Sequence, residues 1–197
     1  MRDWRLQWTA LRLVVIAMGY AISESRSRAN CMIIVRQADA TDIPILARHR
    51  AAMFRDMGQL AAHLEEPLEQ ATAAWLREAL PRGEYLAWVA EEKETPGRVF
   101  GGAGVQLRPI LPRPRPGVDD LELGPEAIVL NVYVEPAWRR RGVAGALMRA
   151  LLGALAARGL RRVVLHASDE GRRLYERLGF LPTNEMRLTP RTEASRT

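Results

Sequence analysis

From residue 32 onward the chain switches between apolar runs of period two and apolar stripes of period near four, and each switch marks an element. MIIVRQ at 32–37 predicts a first strand, and ATDIPILARHRAAMFRDMG at 40–58 predicts a helix. Thr41 is placed to cap that helix and Pro44 fits its first turn. Ile45, Leu46, His49, Met53 and Met57 form its expected inner stripe, and Gly58 stops it. A second helix is expected over 67–80, with Leu68, Ala71, Trp75 and Leu76 turned inward. Residues 85–90 and 99–107 read as the two strands of a hairpin, turned through the charged stretch at Pro96 and Gly97. Pro109, Pro112, Pro114 and Pro116 then exclude a regular element, so 108–120 is expected to be an extended surface loop.

The remaining pattern is strand, helix, strand, short helix, strand. AIVLNVYV at 127–134 predicts the fourth strand, ended by Pro136. In the following helix Val143, Leu147, Leu151 and Leu155 recur every four residues on one face, and Arg158 and Gly159 close it. Residues 163–167 predict a fifth strand, 170–179 a short helix and 183–188 a last strand. This order implies an α/β fold: a mixed sheet flanked by helices, with a right-handed crossover through the longest helix.

The ends read differently. Residues 13–22 are an uncharged run of ten, too short to span a bilayer, and no small-x-small cleavage site follows. The domain organisation expected is therefore an extension at 1–31, dispensable for the working domain at 32–188, and a flexible tail at 189–197. An amphipathic helix packed on the domain is the alternative for the first segment.

Composition adds limits. A chain of 197 residues, 48% hydrophobic, can bury one sizeable core. Cys31 stands alone, which excludes an intrachain disulfide framework and fits a reducing compartment such as the cytoplasm. His49, His63 and His166 are scattered, without metal-ligand spacing. The formal charge of +6 would suit nucleic acid, membrane phosphates or an anionic cofactor equally well, so geometry must choose.

That geometry lies in WRRRGVAGAL at 138–147, where a strand has ended and a helix begins. The first amides of a helix lack intrahelical acceptors, Gly142 leaves the backbone open to an anion, and Ala144 keeps the next turn small. The helix dipole and Arg139, Arg140 and Arg141 add positive potential. A nucleotide-triphosphate loop is excluded because the one lysine, Lys93, sits in an acidic turn. GGAG at 101–104 lies inside a strand, so a bulge or close packing explains it better than a dinucleotide fingerprint. A mostly apolar helix after Gly142 is not a nucleic-acid reader.

Val134, Pro136, Arg139, Gly142 and Ala144 meet the pattern V-x-P-x-x-R-x-x-G-x-A, which resembles the acetyl-coenzyme A signature of the GNAT acetyltransferase superfamily. LYERLGF at 174–180 resembles a closing motif of the same family, and 32–188 fits its element order. ASDEGRRLYERLGF followed by PTNEMRL further resembles a bacterial subgroup of small-molecule or uncharacterised N-acetyltransferases. Two positions depart from the pattern: Ala144 stands where many members carry glycine, and Ser168 and Asp169 stand where an asparagine is common.

The resemblance implies a mostly antiparallel sheet with a V-shaped opening between the fourth and fifth strands, holding the pantetheine arm of acetyl-coenzyme A. Backbone groups of Val132, Tyr133 and Val134 would hold the arm, and Arg139, Arg140, Arg141, Gly142, Val143, Ala144 and Gly145, with Ser168 further on, would hold the rest of the cofactor. The reaction implied is direct attack of a small-molecule primary amine on the thioester, with no covalent enzyme intermediate. Tyr175 would donate to the departing thiolate or else pack as a half-buried aromatic, and Glu126 leads as general base. Asn131 and Tyr133 would orient substrate or water, and His166 faces the cleft or the core. Asp56, Glu65, Glu66 and Glu69 would attract a cationic acceptor or form solvated helix faces, while Trp75 and Trp88 serve core or pocket. A homodimer is the expected assembly, with no nucleic acid and no stable membrane association. A noncatalytic acyl-coenzyme A sensor and a basic nucleic-acid-binding protein are the competing readings.

Overall fold

A computed structural model describes residues 33–115, 117–183, 185 and 186. The expectations for residues 1–31 and for the tail lie outside the described residues. The described chain forms two units, one running to Leu165 and one beginning at His166.

The first unit is built on β1 (Ile33–Gln37), β2 (Tyr85–Glu92), β3 (Thr95–Arg108), β6 (Glu126–Val134) and β7 (Val163–Leu165), which lie side by side in that order. The first three pairings are antiparallel and the last, β6 with β7, is parallel. A parallel neighbour needs a crossover, and α3 (Val143–Ala157) supplies it. The helices α1 (Ile43–Asp56) and α2 (Glu65–Ala79) connect β1 to β2. A side chain added at Gly102 would meet Leu46 and His49 of α1, whereas one added at Gly101 would meet Val143 and Leu147 of α3. Because neighbouring strand residues point to opposite faces, α1 and α3 cover opposite sides of the sheet.

On the α1 and α2 side, Ile43, Leu46, Leu76 and Ala79 pack with Tyr85, Ala87 and Val89 of β2. On the other side α3 buries Val143, Leu147, Met148, Leu151 and Leu155, each worth about 1.5–3 kcal/mol of transfer free energy. The four-residue spacing legible in the sequence is the spacing of this buried stripe. Of the stripe expected on α1, Leu46 and His49 are buried and Ile45 packs partly buried against the core, Ile43, Ala47, Ala51 and Ala52 complete the buried face, and Met57 lies exposed beyond the helix. Its start differs as well. A short 3-10 turn (Ala40–Asp42) precedes α1, and Asp39 rather than Thr41 caps the segment by capping that turn, its carboxylate accepting from the Thr41 amide while Asp42, where α1 begins, accepts from the Asp39 amide. Gly58 does end the segment, at a φ of 68°.

The proline-rich stretch is not wholly unpaired, because β4 (Arg113–Pro114) within it forms a small ribbon with β5 (Leu121–Glu122) just beyond it. The fifth main strand is also shorter than the 163–167 expected, ending at Leu165. In the second unit α4 (Asp169–Arg177) is capped by the Ser168 hydroxyl, which accepts from the Gly171 amide at 3.2 Å. Tyr175 and Phe180 meet edge to face within that unit, 6.0 Å between ring centres. His166 is exposed and pairs with Glu185 at 2.6 Å, which corrects the core reading of this histidine. Thr183, Glu185 and Met186 carry no strand; the rest of the last expected strand lies outside the described residues.

Candidate active site

After β6, the chain makes a 3-10 turn at Pro136–Trp138, then Arg139, Arg140 and Arg141 lead to Gly142, the residue that opens α3. Gly142 has φ 80° and ψ 0°, a left-handed conformation that costs other residues roughly 1–2 kcal/mol. Arg140 takes the same region at φ 63°. These two left-handed residues, at 140 and 142, turn the chain sharply between β6 and α3. Among the described residues no side chain caps α3, and the first intrahelical bond at this end runs from the Ala146 amide to the Gly142 carbonyl. The amides of Val143, Ala144 and Gly145 therefore have no acceptor four residues back.

The three arginines divide their work. Arg139 turns back: its Nε donates to the Val134 carbonyl at 2.9 Å, its Nη2 pairs with Asp56, and its guanidinium lies 5.5 Å from the Tyr133 ring centre. The hydrogen bond to Asp56 raises its pKa further, so it stays charged. Arg141 lies over the Trp138 ring at 5.0 Å, with Trp138 itself stacked on Phe100. Arg140 and Arg141 are both exposed. The positive potential at the loop thus comes from those two, and Arg139 serves as a strut from the loop to the end of α1.

Next to this loop β6 carries a bulge. Gly104 pairs with Leu130 and Gly102 with Tyr133, so β6 spans three steps where β3 spans two. Asn131 occupies the bulge at φ 55°, which asparagine tolerates better than most residues. Its side chain is fixed from both sides: Oδ1 accepts from Arg50 Nη1 of α1, and Nδ2 donates to the Tyr85 hydroxyl at 2.9 Å. Tyr85 is 1% exposed, and burial pushes its pKa up to about 12. Gly104 makes room for it, since a Cβ there would stand 1.7 Å from the phenol oxygen. GGAG is therefore a close-packing segment, with the bulge lying opposite it on β6.

Pairing of β6 with β7 extends from Ala127–Val163 to Val129–Leu165. Beyond that point Leu130, Asn131, Val132, Tyr133 and Val134 have no partner strand on this edge among the described residues. Tyr133 packs on the buried His49, 5.2 Å between rings, and its hydroxyl stands 3.5 Å from Asp56. His49 Nε2 lies 3.5 Å from Glu135, and burial holds this imidazole below its ordinary pKa.

Glu126 sits at the far end of β6, 2% exposed, with Arg108 bound to one carboxylate oxygen and Arg162 to the other. Burial opposes its charge, yet the hydrogen bonds from both guanidiniums outweigh this and bring its pKa below the usual carboxylate range. A carboxylate so held collects protons poorly and ties β3, β6 and the approach to β7 together. Of the acidic residues on the early helices, Asp56 pairs with Arg139 and Glu65 with Arg55. Trp75 is 43% exposed and meets Tyr85 edge to face, whereas Trp88 is buried. A cleft of about 460 Å³ opens at the start of α1 beside Arg36, Asp42 and Arg48, but Arg36 is already paired with Asp42 and Glu91. Sequence reading missed Arg50, Tyr85 and the bulge; the signal available was an asparagine inside a β-branched run facing a glycine-rich strand.

Residues 51–180 match the model of the Acetyltransferase (GNAT) family. A GCN5-related N-acetyltransferase from Ralstonia eutropha JMP134 is 33% identical and superposes with a TM-score of 0.68, over 80% of this chain and 98% of that one. A predicted acetyltransferase from Clostridium acetobutylicum, crystallised with acetyl-CoA, has a TM-score of 0.66 at 23% identity, over 81% and 96% of the two chains. The glucosamine 6-phosphate N-acetyltransferase of Trypanosoma brucei brucei is 28% identical over 124 residues, 62% of this chain and 78% of the relative.

Proposed function

Because the chain belongs to the acetyltransferase (GNAT) family, we propose that it moves the acetyl group of acetyl-coenzyme A to a primary amine of a small molecule, by direct attack on the thioester. The observation that carries this reading is the uncapped start of α3, where the Gly142 turn leaves the amides of Val143, Ala144 and Gly145 open beside exposed Arg140 and Arg141. Pyrophosphate fits there by charge and by hydrogen bonding. The open edge of β6 at Val132, Tyr133 and Val134 suits the pantetheine arm lying like an added strand, although the Val134 carbonyl already accepts from Arg139. The bulge at Asn131 turns backbone groups away from regular pairing next to that edge, where an amide could meet the developing oxyanion.

Proton transfers follow from the partners found. The amine proton passes to water, since Glu126 is clamped by two arginines. Tyr175 is the donor to the thiolate on the strength of LYERLGF; burial raises the pKa of its phenol, so it stays protonated at neutral pH. Ser168, as the cap of α4, holds the first turn of the helix that carries Tyr175.

Calorimetry with acetyl-coenzyme A tests the cofactor site. Gly142→Glu should weaken binding by about 100-fold or more, because a carboxylate beside the open amides would repel phosphate and the side chain would be strained at this φ. Equal affinity in a variant that melts cooperatively would reject the site. In an amine panel read by free-thiol release, Tyr175→Phe should lower turnover about 10- to 100-fold at unchanged cofactor affinity. Parental turnover would return Tyr175 to a packing role.

A further inference from the structure

Among the described residues the half-buried Arg50 has no carboxylate partner. Among the described residues its contacts are the neutral Asn131 amide, to which it gives one of five N–H groups, and the Phe54 ring, 4.9 Å below the guanidinium. The phenol of Tyr85, bound to the same Asn131 amide, also acts on it, and that phenol is neutral across the physiological range. Burial lowers the pKa of Arg50, so this cation loses hydration without gaining a counter-charge. The contrast with its neighbours is sharp. Arg36, Arg55, Arg108, Arg139 and Arg162 each hold an Asp or Glu.

A desolvated, unneutralised guanidinium is a site prepared for an anion, because its remaining N–H groups form a planar fork that matches a carboxylate or phosphate. Its position says which molecule brings the anion. Arg50 reaches β6 at the bulge, about 10 Å of strand before Val134, whereas the open amides for the cofactor phosphates begin beyond Gly142. It also projects from α1, the helix that lies on the opposite face from α3. Resting on the transferase reading, we propose that Arg50 binds an acidic group on the acceptor, so that the preferred substrate is an amine that also carries a carboxylate or phosphate. The hydrogen bond to Asn131 then orients the fork, and the guanidinium rests over the Phe54 ring.

The test uses matched amines that differ only in the acidic group: glucosamine against glucosamine 6-phosphate, and β-alanine against β-alaninamide, each assayed by thiol release from acetyl-coenzyme A. The full-length protein should prefer one acidic member over its neutral partner, and which pair shows the preference separates phosphate from carboxylate. Arg50→Gln should lower kcat/KM for that acidic amine by about 10- to 100-fold and for its neutral partner by less than about 3-fold. Arg50→Lys, which keeps the charge, should recover part of the loss. Equal losses for both members of a pair would mean that Arg50 only holds the bulge, and the inference fails. It fails too if Arg50→Gln weakens acetyl-coenzyme A binding in calorimetry by the same factor, since the arginine then serves the cofactor. Thiol release with neutral amines alone overturns the inference and leaves the transferase reading standing; no release with any amine while the cofactor binds overturns both.

Discussion

The two faces of the sheet are held in different ways. Beneath α3 the contact is made by Val143, Leu147, Met148, Leu151 and Leu155. Beneath α1 the apolar layer is thinner in volume, with Ala47, Ala51 and Ala52 among its buried residues, and side-chain polar links add to it: Arg50 to Asn131, Asp56 to Arg139 and His49 to Glu135. Apolar burial is strong and indifferent to direction, whereas hydrogen bonds and ion pairs add little net stability and fix geometry closely. The α3 side is thus held by apolar burial, whereas the α1 side joins its own apolar core with α2 and β2 to polar links that set the positions of the β6 bulge and of the loop at 139–142.

Replacing residues from each class should separate the two. Leu147→Ala, at a fully buried position in the middle of the α3 contact, should cost about 3 kcal/mol in denaturant unfolding. A loss below about 1 kcal/mol would show that α3 repacks freely, and the contrast between the faces would weaken. Glu126→Gln, which breaks the clamp at the end of the sheet, should cost about 2 kcal/mol at neutral pH, less than a deep ion pair because both arginines are partly exposed. Since the folded protein holds this carboxyl below its ordinary value of 4.5, the clamp contributes fully above that pH and is lost as the pH falls through the lower folded value. The gap between parent and variant should accordingly close in acid, and a gap that persists there would assign the effect to packing. Asp56→Asn should cost about 0.5 kcal/mol or less, because the pair with Arg139 is solvent-exposed on both sides. Acetyl-coenzyme A affinity is the sharper readout for that variant, expected to shift by about 3-fold as Arg139 loses its strut; an unchanged value would uncouple α1 from the loop.

The same division explains what could be read from the letters. The α3 stripe and the run 127–134 were legible because a single buried face imposes a local period on one continuous segment. The turn at Gly142 was legible for a related reason, as strand end, glycine and helix start are adjacent in the chain. The inner face of α1 was legible only at Ile45, Leu46 and His49, because alanines at 47, 51 and 52 do much of the remaining burying and alanine gives a weak hydrophobic signal. Asp39 took the cap from Thr41 through a reciprocal bond with Asp42, a choice between two competent residues that spacing alone leaves open. Arg50 and Asn131 are 81 positions apart, and Tyr85 and Asn131 are 46 apart, so their contact exists only once the sheet and α1 are assembled. The role expected of Glu126 changed for the same reason: its two arginines, Arg108 and Arg162, come from opposite sides of β6 in sequence.

The approach of Tyr85 to Gly104 also limits how this protein can change over generations. With 1.7 Å between the phenol oxygen and a hypothetical Cβ at 104, and 2.2 Å to the ring carbon bearing it, even alanine cannot enter while the tyrosine stays. Shrinking the tyrosine first would empty a fully buried volume and release Asn131 from its donor contact. Each single step is therefore unfavourable, so a substitution at either position calls for a matching one at the other.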